Sequence, residues 1–260
     1  MTIAFSALTD LLAMYIWPFI RITAFVVAIP AIGGALVPRR IRALLAVSLT
    51  IAMAPAVEQS LPVTAILSLS GALIAVQEAL LGIAMGFVVQ LVFDAVTLGA
   101  QTISMSMGLG FAVFLDRVSG VNIPVIGQLY LMLSLLIFLA VDGHLQLILM
   151  LAGSFESAPI GSLVLEAADA GSILTFSGQL FVGAMRIALP AVTTLLIVNL
   201  SFGVMSRAAP SMNLFAVGFP ISMLLGFGVL YVGIESLAQS FNMMFPLALD
   251  TVLALLVRTP

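Results

Sequence analysis

The long stretches without a fixed charge constrain this chain more than any motif does. Residues Ala208–Ile234 contain no charged side chain, and Ala95–Leu115, Val118–Val141 and Ile187–Ser206 are equally free of charge. A helix that crosses a bilayer needs ~20 predominantly apolar residues. The whole chain carries only 8 basic and 11 acidic residues among 260, and the basic ones are all arginine. Soluble domains hold about 25% charged residues, whereas here the figure is 7%, with 63% of residues apolar. So few charges cannot cover a water-facing surface. This excludes a soluble enzyme, a disordered tail and a nucleic-acid-binding module, which would need basic patches. The bilayer, or a large apolar partner surface, is the solvent for most of the protein.

The remaining global features narrow the chemistry. A net charge of −3 gives no strong attraction to polyanions. Cysteine is absent, which removes disulfide frameworks and thiolate metal sites. His144 is the single histidine, so multi-histidine metal sites are excluded. Walker A, Rossmann, HExxH and GxSxG motifs do not occur, and neither catalytic residues nor a cofactor is expected. Met1–Asp10 has no basic region of the kind that opens a cleavable signal peptide, so the first apolar segment is expected to persist in the mature protein.

Hydropathy predicts about six spans, near 11–30, 43–57, 65–93, 124–152, 174–200 and 211–234, with a further apolar piece at 241–257. Prolines at 30, 38, 55, 62, 124, 190, 210, 220 and 246 interrupt these runs. Each lacks a helical N–H, and the freed backbone must find partners in protein or along a wet cavity. Broken helices and helical hairpins are therefore expected in place of straight rods. The cluster Arg39, Arg40 and Arg42 after the first run places that loop in the cytoplasm by the positive-inside rule. The stretch Ser154–Ser172, with Glu156, Glu166, Asp169 and two glycines, is the best candidate boundary between an N-terminal and a C-terminal part.

Several residues are candidates for packing or function. Ala75, Ala79, Gly82 and Gly86 recur at helical spacing, so they form one stripe. Small residues there let a second helix approach closely. Glu78 lies one turn before Gly82, where facing lipid would be costly. A polar anchor between packed helices outweighs an ion or proton relay for this glutamate. Arg21 and Arg186 each interrupt an apolar run, and membrane arginines pair or snorkel. Glu78, Asp94 and Glu235 are the candidate partners, and spacing does not choose among them. The segment Gln101–Pro124 contains Met105, Met107, Gly108, Gly110, Phe111, Phe114, Leu115 and Asp116. Its glycines argue against a continuous helix, and its apolar tip against a free aqueous loop. A buried re-entrant hairpin and a deformable plug in a pore both fit, the methionines packing adaptably. Asp142–Gly143–His144 reads as a helix end or kink. Arg207, Pro210, Asn213 and Phe215 lie where two long apolar runs join, which reads as a hairpin tip.

The order of several short stretches adds to this. RITAFVVAIP at Arg21–Pro30, GALVPRRIRALLA at Gly34–Ala46, GAQTISMS at Gly99–Ser106, FLAVDGHLQ at Phe138–Gln146 and GVMSRAAPSMNLFAVGFP at Gly203–Pro220 together resemble the FliR/SctT family of type III secretion export-gate subunits. The resemblance covers nearly the whole chain. It departs where that family often has Asp-Pro, since Asp116 is followed here by Arg117.

This resemblance implies an all-α, membrane-associated subunit with a FliP-like part at 1–171 and a FliQ-like hairpin at 172–260. It implies assembly with FliP and FliQ, contact with FlhA and FlhB, and unfolded polypeptides as the exported substrates. It also implies that Met105–Pro124 closes the pore. The location implied is the bacterial inner membrane, in the flagellar basal body. An injectisome subunit of the SctT type is the alternative within the family. A secondary transporter for a small solute, using Glu78, Asp94 and Arg186, is the alternative outside it.

Overall fold

The computed structural model describes residues 2–30, 37–57, 68–109, 125–162, 167–208 and 214–256. Seven helices make up almost all of these: α1 (Thr2–Ala28), α2 (Arg39–Val57), α3 (Leu69–Ser106), α4 (Val125–Ala140), α5 (Gly143–Ser157), α6 (Ala167–Ala208) and α7 (Leu214–Leu256). No strand occurs among the described residues. The all-helical class expected from the sequence is what the structure has.

The helix boundaries differ from the hydropathy spans in an instructive way. The run expected at 65–93 continues to Ser106, through Asp94. The pieces expected at 211–234 and 241–257 are one helix, which passes through Glu235. A charge lowers a hydropathy average but does not remove a backbone hydrogen bond, so it marks no helix end. Prolines are also tolerated inside: Pro18 lies within α1, Pro55 within α2 and Pro190 within α6. Just after Pro190, Thr193 and Thr194 donate their hydroxyls to the carbonyls of Leu189 and Pro190 at 2.8 Å each, so both hydroxyls are satisfied within the helix. The expected break does occur at Asp142. This residue takes φ 54° and separates α4 from α5, while its carbonyl accepts the N–H groups of Leu145 and Gln146 that open α5.

Among the described residues three helices are long and apolar enough to cross a membrane, over Leu69–Ser106, Ala170–Ala208 and Pro220–Leu256. The broken pair α4 and α5 makes a fourth if taken as one span.

The chain forms two compact units. One comprises Met1–Leu91, Asp142–Ser177 and Pro246–Pro260. Its core is built on α1, whose Ala13, Trp17, Arg21 and Phe25 are buried at helical spacing, with Ile29 buried just beyond its end. Helix α1 packs along α2, and α2 meets α5. The other unit comprises Val92–Val141 and Gly178–Phe245. Four aromatic rings fix its centre: Phe93 meets Phe138 and Phe241 edge-on at 5.7 and 5.4 Å, Phe138 meets Phe245 at 5.5 Å, and Phe241 stacks on Phe245 at 5.7 Å. These separations suit the ring quadrupoles. Gly99 of α3 lies so close to α6 that a Cβ there would stand 2.9 Å from the Ala184 carbonyl oxygen.

Candidate functional site

In the first unit the polar anchor centres on Arg21, which is fully buried, as is nearly all of Glu78. Nε of Arg21 donates to Oε2 of Glu78 at 2.6 Å. Nη1 donates to the carbonyl and hydroxyl oxygens of Ser154 at 2.9 and 3.1 Å, and Nη2 to the carbonyl of Ala158 at 2.9 Å. The guanidinium carbon sits 4.3 Å from the centre of the Phe155 ring. Glu78 also accepts the Gly161 amide through Oε1, at a long 3.4 Å. A helix leaves its last carbonyls without intrahelical donors, and a cation at that end is favoured by the helix dipole. Arg21 thus closes the C-terminal end of α5 while pairing with α3. Its rigid fork of donors suits this task in a way that a lysine ammonium would not.

The close approach that brings the two charges together lies beside them. A Cβ on Gly82 would strike the Arg21 carbonyl oxygen and stand 2.8 Å from the Ala24 Cβ. A Cβ on Gly86 would stand 3.0 Å from the Phe25 carbonyl oxygen. Gly82 and Gly86 of the stripe therefore face α1. Of the three acids offered to Arg21 by the sequence, the structure pairs it with Glu78. The roles of Ser154, Phe155 and Ala158 could not be read in advance, because two of them act through backbone carbonyls and the third through a ring face. The signal available was Ser154 itself, a small polar residue three positions before a break.

The second unit holds the start of the Met105–Pro124 segment. Helix α3 ends at Ser106, and Met107–Leu109 form a turn in which the Gly108 and Leu109 amides donate back to Met105 and Ser104 at 3.0 and 3.1 Å. Met105 is 72% exposed, whereas Met107 is buried to 1%. The Met107 side chain fills the space over Gly226 of α7, where a Cβ would stand 2.7 Å from its Cγ. Gly108 has φ 80°, a region in which any Cβ is strained. Gly108→Ala is expected to cost roughly 1–2 kcal/mol, measurable as a lowered midpoint in thermal unfolding of the purified protein. Gly110, Phe111, Phe114, Leu115 and Asp116 lie outside the described residues.

Arg186 lies exposed on α6, and its Nη1 meets the Sδ of Met243. Of the hairpin-tip residues, Arg207 stands in the last turn of α6 and Phe215 in the first turn of α7, while Pro210 and Asn213 lie outside the described residues. The Asp142–His144 kink begins α5. Among the described residues no group of three or more His, Cys, Asp or Glu side chains is placed to hold a metal ion.

Long apolar helices, a scaffold locked by a buried ion pair and small-residue contacts define a helical membrane protein built for packing. Residues 12–248 match the family of bacterial export proteins, family 1, and the chain belongs to that family. It is 38% identical over 221 residues to the flagellar biosynthetic protein FliR of Escherichia coli (strain K12), covering 84% of this chain and 83% of that protein. It is 34% identical over 214 residues to the protein of the same name from Pectobacterium carotovorum, covering 82% and 81%. With that of Bacillus subtilis (strain 168) it shares 28% identity over 254 residues, covering 96% and 97%.

Proposed function

We propose that the chain is a structural subunit of the flagellar type III protein export gate. It forms part of a channel wall and supplies the plug that closes the pore to ions while unfolded flagellar proteins pass. The observation that carries this reading is likeness over more than four-fifths of both chains to proteins named as flagellar biosynthetic FliR. It also favours a flagellar over an injectisome system. The gate lies in the bacterial inner membrane within the flagellar basal body. FliP and FliQ are its immediate neighbours, and FlhA and FlhB act with it. Residues 1–171 form the FliP-like part and 172–260 the FliQ-like hairpin.

The mechanism is steric and involves no covalent step. The buried Met107 and the turn at Gly108 give the segment that follows a fixed root. Phe111, Phe114, Leu115 and the methionines seal the channel, and the glycines let the segment move aside for substrate. The Arg21–Glu78 pair and the Gly82–Gly86 face stiffen the first unit as part of the wall.

Deleting residues 108–118 is expected to raise ion conductance through the assembled gate reconstituted in planar bilayers. Phe111→Ser/Phe114→Ser, which keeps the segment's length, should leak less than the deletion and more than the parent. Conductance unchanged in both assembled variants would remove the sealing role.

A further inference from the structure

The second unit carries a polar ridge on a surface that is otherwise apolar. Glu235, Gln239 and Met243 follow one another at four-residue intervals on α7 and are all exposed, so they form a single stripe. Gln239 Nε2 donates to Glu235 Oε1 at 3.2 Å. At the far end Met243 meets the guanidinium of Arg186. The ridge thus runs from an anion to a cation over two turns, about 12 Å at 1.5 Å per residue. Around Arg186 the same helix exposes Phe181, Val182, Met185 and Leu189. Among the described residues no carboxylate pairs with Arg186.

Acyl chains do not suit such a ridge. Nor can lipid alone cover these helices. The apolar part of α6, Ala170–Ala208, has 39 residues, and an 18-residue apolar window within it is only 22% buried. At 1.5 Å per residue it is about 58 Å long, against a hydrocarbon core of ~30 Å. Roughly half of its exposed apolar surface therefore requires protein, and Arg186 lies near the middle of that length.

We propose that the ridge formed by Arg186, Met243, Gln239 and Glu235 is a docking surface for an apolar helix of another subunit. That helix carries a carboxylate opposite Arg186 and a basic or N–H donor group opposite Glu235. Exposed methionine beside the cation suits an adaptable contact, and the reversed order of charge fixes the partner's direction. The inference rests on the chain working inside a multi-subunit assembly, as the proposed function has it.

The test uses the full chain expressed in its native membrane. A photoreactive side chain placed at Val182 or Gln239 is expected to capture a protein subunit. The variant Arg186→Glu should reduce the share of chain that migrates in the large assembly on native gels at least about tenfold, while Arg186→Lys keeps most of it. A Glu235→Arg/Arg186→Glu exchange should not restore assembly, whereas an acid-to-base change in the captured subunit should. Photocapture of lipid only, or an Arg186→Glu variant that assembles like the parent, would overturn the docking surface. A parent chain that migrates alone would instead overturn the gate reading, and a parent that assembles without exporting flagellar protein would do so while leaving the ridge intact.

Discussion

Arg21→Met and Glu78→Met, made singly, are expected to destabilise the protein by roughly 3–5 kcal/mol each. Each leaves a full charge in a site where the pair is almost wholly out of solvent. The Arg21 variant additionally strips the donor from the Ala158 carbonyl, while the Ser154 carbonyl keeps only the Ala158 amide. An abandoned buried acceptor costs about 1–3 kcal/mol. Combining the two changes removes both charges, and an apolar pair of similar volume is commonly close to neutral against a buried ion pair. Here the double variant should recover only part of the loss, because the Ala158 carbonyl and the Gly161 amide lose the partners they have in the parent. Arg21→Lys should fall between parent and Arg21→Met, since an ammonium keeps the charge but cannot span Glu78 and two carbonyls in one plane. Thermal unfolding of the detergent-solubilised protein measures this. Single variants should lose roughly 6–20 °C, and the double variant less than the sum of the two. A strictly additive double variant would mean that the two side chains do not act as a pair.

The same pair shows how far the sequence can be read. Composition and uncharged runs announce long apolar helices, and the spacing of Ala75, Ala79, Gly82 and Gly86 announces a face for close approach. Both follow from local periodicity. The helix ends were less legible, because Asp94 and Glu235 interrupt hydropathy without interrupting the backbone ladder, and α3 and α7 run straight through them. The choice of Glu78 for Arg21 depends on two residues 57 positions apart meeting across α1 and α3, which no spacing rule contains. The contribution of α5 was hidden further, since its carbonyls carry no sequence identity. Met107 lies over Gly226 and the four phenylalanines meet from three helices for the same reason: both are products of tertiary packing. The left-handed turn at Gly108 was foreshadowed by the glycine, but the helix persists to Ser106 before it.

Alanine at Gly82 is expected to have the opposite sign from alanine at Gly153, although both lie inside helices. In a helix interior glycine is disfavoured against alanine by about 0.5–1 kcal/mol, because its backbone loses more freedom. At Gly153 of α5 an added methyl meets nothing within 4 Å, so Gly153→Ala should stabilise by about that amount. At Gly82 the methyl would meet the Arg21 carbonyl oxygen, the Ala24 Cβ at 2.8 Å and the Phe25 amide nitrogen at 3.1 Å. Two of these three are backbone atoms, which cannot swing aside as a side-chain tip can. Overpacking of this kind costs about 1–3 kcal/mol, enough to reverse the propensity gain, and Gly82→Leu should exceed it. The displaced carbonyl belongs to Arg21, so a methyl at 82 also shifts the residue whose guanidinium must reach Glu78, Ser154 and Ala158 together. The two perturbations should therefore couple. In an Arg21→Met/Glu78→Met background, Gly82→Ala should cost less than in the parent, by an amount that a double-mutant cycle resolves. An equal cost in both backgrounds would mean that the glycine face and the ion pair stabilise the α1–α3 contact independently.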